Sequence, residues 1–147
     1  MIESLHFAST MALGLFAGAL FTEGFILVPY WRRMARADFF QQHGEVGPRL
    51  FRFFAPLTTV TVTLAVASAV PLRDAGLSMA RLVAGAGALA VLATFFFYFR
   101  RANASFAEGS LSEEQLKLEL RRWATWHWAR TATAISAFGA AVWASVQ

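Results

Sequence analysis

Four long apolar runs constrain this chain more than any other feature: residues 7–31, 53–72, 82–99 and 123–146. A hydrocarbon core about 30 Å thick is crossed by roughly 20 apolar residues in a helix, and each run is near that length. Backbone N–H and C=O groups find no water in lipid, so such runs must form helices or a closed barrel. None of the four alternates with the period of two that a barrel strand needs. The expectation is therefore an all-α fold: a four-transmembrane-helix bundle forming a single domain over residues 1–147. Composition agrees, since 57% of residues are hydrophobic and only 15% charged, against about a quarter charged in ordinary soluble domains. Met1 to His6 holds no Lys or Arg, and the run that follows is long for a signal peptide. The first run is expected to be retained.

Lys and Arg near the span ends set orientation. The first loop holds Arg32, Arg33, Arg36 and Arg49, with Arg52 at its edge, and the third holds Arg100, Arg101, Lys117, Arg121 and Arg122. The second loop holds only Arg73 and Arg81. Loops 32–49 and 100–122 are expected in the cytoplasm, with both termini on the non-cytoplasmic side of a bacterial inner membrane. The net charge of +4 then reads as an orientation signal, with no nucleic-acid partner. Expected partners are membrane lipid and a small hydrophobic ligand, with a second copy or a partner membrane subunit left open. Gly14 and Gly18, spaced GxxxG, allow two helix backbones to approach closely. Thr58, Thr59, Thr61 and Thr63 are expected to bond their own helix backbone. In the third loop, Ser112 and Gln115 have the spacing of a capping box, starting a helix that runs into the fourth span. In the first loop, residues 38–47 are expected to form a short interfacial helix ended by Gly47-Pro48, with His43 at the surface.

Ionisable groups inside a bilayer are costly unless paired, which makes each a candidate for function. Three stand out: Glu23, His127 and Arg130. Span one travels toward Trp31, so Glu23 lies about 12 Å from that end at 1.5 Å per residue. Span four travels the other way from Trp123, which puts Arg130 about 10 Å from the same interface. The equal depth predicts a Glu23–Arg130 ion pair. Trp123, Trp126, His127 and Arg130 stand at i, i+3 and i+4 spacings and share one helix face. Asn103 comes at the same end of span three. Together these groups predict a polar pocket in the cytoplasmic half of the bundle. A purely structural pair that fixes helix register is the competing expectation.

The absence of cysteine excludes disulfides, thiolate nucleophiles and Cys-ligated metals. His6 and His127 lie at different depths and cannot share a haem iron. The three histidines show no metal-ligand spacing, and no phosphate-binding or hydrolase motif occurs. No metal and no cofactor are expected.

One set of residues goes further. Val28-Pro29-Tyr30-Trp31-Arg32-Arg33 ends the first span, Gly47-Pro48-Arg49-Leu50 opens the second, Asn103 follows the third, and the last helix reads Trp123-Ala-Thr-Trp-His127-Trp-Ala-Arg130. Together they resemble the anthrone-oxygenase-like family of small four-helix membrane proteins, over nearly the whole chain. Members often show Pro-x-Asn after span three, where this chain has Arg101-Ala102-Asn103. The resemblance implies cofactor-free oxidation of a hydrophobic aromatic substrate, an anthrone becoming an anthraquinone. By that analogy His127 would be the base and Arg130 the oxyanion stabiliser. Trp123 and Trp126 would stack on the substrate, and Asn103 and Glu23 would help bind it. A non-enzymatic accessory subunit and a carrier of a quinone-like molecule are the alternatives.

Overall fold

The structure, a computed structural model, describes residues 2–70 and 78–147. It is all helical, with four rods: α1 (Ile2–Trp31), α2 (Arg36–Ala69), α3 (Met79–Glu108) and α4 (Glu113–Ser145). The first three are long and apolar enough to cross a membrane. Leu72 and Arg73, assigned above to the second span and second loop, lie outside the described residues. Large apolar side chains cover the outward faces, among them Phe7, Phe25 and Phe97 at 69%, 68% and 84% exposure. An apolar exterior of this extent suits lipid and not water.

The rods run up and down. At one end the start of α1 (Ser9), the end of α2 (Ser68), the start of α3 (Arg81) and the end of α4 (Ser145) surround a common site. At the other, arginine-rich end, Arg36 at the start of α2 donates to the carbonyls of Leu111 (2.6 Å) and Gly109 (3.1 Å). Those bonds tie the α3–α4 turn to α2. Gly109 closes α3 at φ 66°, a left-handed cap that glycine adopts without steric cost. The capping box forms as expected: the Ser112 hydroxyl accepts from the Gln115 N–H, and the Gln115 side chain accepts from the Ser112 N–H.

Three features depart from the expectations. The short interfacial helix does not exist as a separate element, because α2 continues through Gly47-Pro48. Proline there removes one helical hydrogen bond, an affordable loss, while Phe39 and His43 on the preceding turns anchor that part of α2 in the core. Second, α1 and α3 each contain one wide, five-residue-bonded turn, at Glu23–Leu27 and Phe95–Phe99. In α1 the cause is Pro29, which has no N–H and whose ring crowds the carbonyl four residues earlier. Third, Thr61 donates to the carbonyl of Ala12 in α1 at 3.4 Å, whereas Thr59 bonds its own helix at Ala55 as expected.

The core changes character along the bundle. Away from the arginine-rich end it is made of small side chains, Ala65, Ala84, Ala88, Ala137 and Ala141. Gly14 belongs to this close packing: a Cβ there would lie 2.9 Å from the ring of Phe138. Toward the arginine-rich end the core becomes aromatic, with Trp31, Phe39, Phe99, Phe106 and Trp123 all buried.

Candidate active site

The wide turn of α1 carries the site's acid. Glu23 is buried, and its Oε2 accepts from Arg130 Nη2 of α4 at 3.1 Å; the two side chains are only 7% and 14% exposed. The expected ion pair is present. Arg130 Nη2 also donates to His127 Nδ1 at 2.8 Å, and His127 Nε2 donates to the carbonyl of Leu20 at 2.9 Å. With one ring nitrogen accepting and the other donating, the imidazole is the neutral tautomer with its proton on Nε2. Thr131 donates to the His127 carbonyl, and Trp123 stacks on the imidazole at 5.1 Å between centroids and 9° between planes. Gly24 makes this possible, since a Cβ there would stand 2.9 Å from His127 Cδ2 and Nε2. The guanidinium carbon also lies over the Phe99 ring, 4.0 Å from its centroid, a cation–π contact strengthened by burial.

In front of this charged group lies a cavity of about 660 Å³. Glu23, Arg130 and Trp123 line it together with Asn103 of α3 and His43 of α2. It opens between α2 and α3, where Gly44, Gly47, Ala104 and Ala107 leave room that longer side chains would fill. Asn103 accepts from the Trp123 indole N–H at 3.0 Å through Oδ1, which leaves its amide N–H groups to donate elsewhere. Trp31 is held in the same way by Gln42, at 2.9 Å.

His43 corrects the sequence expectation. It is 7% exposed, in ring contact with Trp31, Phe39 and Phe106 at 5.4–5.6 Å between centroids. Its ring lines the cavity, and Nδ1 is buried without a hydrogen-bond partner among the described residues. Among the described residues Nε of Arg130, another lining residue, is likewise buried without a partner.

Of the six residues singled out from sequence, four therefore line one cavity: Glu23, Asn103, Trp123 and Arg130. His127 does not. Its ring is fully buried, with both nitrogens bonded, behind Trp123 and Arg130. Trp126 does not either: it is 39% exposed and stacks on Tyr98 at 5.3 Å on the outer surface. The i, i+3 and i+4 spacings describe a stripe about 100° wide at 3.6 residues per turn. Trp123 and Arg130 stand at its centre and reach the cavity, while its two edges turn away, His127 to α1 and Trp126 outward. Gly24 and His43 escaped the sequence reading. The available signals were the glycine beside a membrane-embedded acid, and the i, i+4 alignment of His43 with Phe39.

Residues 48–140, more than half of the 147-residue chain, match the sequence profile of the anthrone oxygenase family. The chain belongs to the anthrone oxygenase family. The stretch shared with that family contains Asn103, Trp123, His127 and Arg130. Arg100 of the lining also falls within it, whereas Glu23, Trp31 and His43 precede it. No curated protein and no solved structure matches the chain at a significant level.

Proposed function

We propose that the protein is a cofactor-free oxygenase that converts a flat, electron-rich anthrone into the corresponding anthraquinone, in the cavity between α2 and α3. The supporting observation is the cavity itself, whose lining brings His43, Asn103 and the Arg130–Glu23 pair together with aromatic side chains. Membership of the anthrone oxygenase family supports the substrate class.

In this scheme His43 takes a proton from the methylene carbon of the anthrone. The electron pair left behind spreads to the oxygen across the ring, where the Arg130 guanidinium and the Asn103 amide stabilise the developing oxyanion. The carbanion gives one electron to dioxygen, and the two radicals join as a C–O bond to form a peroxide. The peroxide takes the proton back from His43, and loss of the second methylene proton together with hydroxide, as one water, breaks the O–O bond and leaves a carbonyl. One dioxygen is consumed and one water released, so the four-electron balance closes with dioxygen as sole oxidant. His127 keeps a positioning role: its Nδ1 accepts from Arg130 and holds the guanidinium toward the cavity. Glu23 neutralises Arg130, so that the cation persists at this depth.

We further assign α4 as a fourth crossing, with loops 32–49 and 100–122 in the cytoplasm of a bacterial cell. The close packing of α4 against α1 and α3 through Ala134, Ala137 and Ala141 supports this, as does the arginine content of those loops.

The test uses purified protein in detergent with anthrone under air, against heat-inactivated protein for spontaneous oxidation. Wild type should consume one dioxygen per quinone formed. His43→Asn should lower kcat by about 10²- to 10⁴-fold, the usual contribution of a positioned general base. No dioxygen uptake above background by wild type overturns the oxygenase reading in favour of a scaffold or carrier. Equal turnover by His43→Asn removes His43 as the base.

A further inference from the structure

We propose that a crevice between α3 and α4, at the arginine-rich end, binds the phosphodiester headgroup of an anionic phospholipid. The crevice has a volume of about 420 Å³ and shares no lining residue with the main cavity. It therefore stands independently of the oxygenase reading. Two helix faces build it: Arg101 and Ser105 of α3 at i, i+4, and Gln115, Leu118 and Arg122 of α4 at i, i+3 and i+7. Such spacings put each set on one side of its helix.

The depth suits a headgroup. Arg101 comes two residues after the third apolar run, which ends at Phe99, and Arg122 comes one residue before the fourth, which begins at Trp123. Both arginines are exposed, at the level where hydrocarbon gives way to headgroups. Phe97, another exposed lining residue, lies about 6 Å deeper along α3 at 1.5 Å per residue. It offers a surface for the first methylenes of an acyl chain. Tyr98 and Trp126, stacked at 5.3 Å between centroids, are the amphipathic rings that favour this boundary.

The hydrogen-bonding groups select a phosphate. Acceptors in the wall are committed: Glu119 Oε1 accepts from the Tyr98 hydroxyl at 2.7 Å, and Oε2 faces Arg122 Nη1 at 3.7 Å. Gln115 Oε1 accepts from the Ser112 N–H, which leaves the Gln115 amide N–H groups to donate. Arg101 has no ion-pair partner among the described residues. Two arginines against one carboxylate leave the lining with a net positive charge. Guanidinium forks match phosphate oxygens, and basic pockets between membrane helices take phospholipid headgroups. A choline or ethanolamine group finds no uncommitted carboxylate here, so an anionic diester fits better than a zwitterionic one.

The test adds equimolar dioleoyl phosphatidylglycerol and dioleoyl phosphatidylcholine to the protein in detergent and counts retained lipid by native mass spectrometry. Wild type should retain phosphatidylglycerol in preference. Arg101→Gln and Arg122→Gln should each lower that preference roughly fivefold, the worth of one arginine at a lipid surface. Ser105→Trp, which fills the crevice at unchanged charge, should lower it too. Arg32→Gln removes the same charge from the turn between α1 and α2, outside the crevice, and should leave the preference as in wild type. Arg101 is exposed and unpaired among the described residues, so Arg101→Gln reports on the site even if Ser105→Trp does not fold. Equal retention of the two lipids by wild type, or an equal loss in Arg32→Gln, overturns the proposal. Displacement of the lipid by excess inorganic phosphate also overturns it, by making the crevice a site for the free anion.

Discussion

The two ends of the bundle solve the same packing problem with opposite materials. Away from the arginine-rich end, alanines and glycines bring the helices close, and Gly87 lies so near α4 that an added Cβ would come 2.8 Å from that of Ala137. At the arginine-rich end, indole and phenyl rings hold the helices apart, and the space between α2 and α3 remains open as a cavity of about 660 Å³. Close approach maximises dispersion contacts and leaves no room for a ligand. Large, rigid rings give up some of that contact in exchange for a shaped opening. The difference teaches that a small membrane bundle can separate its anchor from its site along one axis, with stability concentrated where the helices touch.

The sharpest way to break the comparison is Arg130→Met. It leaves Glu23 buried without its cation and should cost about 3–5 kcal/mol, as loss of one partner of a buried pair does. Thermal unfolding in detergent measures it, and Glu23→Leu added to Arg130→Met should recover much of the loss. Next come the two tight glycines. Gly24→Ala, aimed at the His127 ring, and Gly87→Ala, aimed at Ala137, should each destabilise by about 1–3 kcal/mol through overpacking. Only Gly24→Ala should also lower turnover, because it alone disturbs the His127–Arg130 bond; equal effects on turnover would erase the division between anchor and site. Ser112→Ala removes the cap of α4 beyond both regions and should cost about 1 kcal/mol with kcat unchanged. Smallest is Gly18→Ala. Nothing lies within 4 Å of the new methyl group, so a gain of about 0.4–1 kcal/mol is expected from the restricted unfolded chain.

Particular residues show how far the sequence could be read. The Glu23–Arg130 pair followed from counting residues along two apolar runs, because rise per residue is fixed in a helix and depth is therefore arithmetic. The capping box at Ser112 and Gln115 was equally local. The second span was harder: Gly47-Pro48 looks like a helix end when read alone, yet tertiary anchoring of Phe39 and His43 carries α2 through it. His127, chosen from sequence, is fully buried with both ring nitrogens bonded, and His43, expected at the surface, lines the cavity.

What the sequence by itself determined is the helical bundle, the approximate position of its apolar runs and the depth of its charged groups. Each depends only on hydrophobic length and helical rise. What only the tertiary structure decided is rotation: which edge of the α4 stripe meets the cavity, and which face of α2 turns His43 inward. Helical periodicity fixes the angles between residues on one helix, but the angle of that helix to its neighbours is set by packing. A single wide turn, such as the one at Glu23–Leu27, inserts an extra residue and shifts every later side chain around the axis.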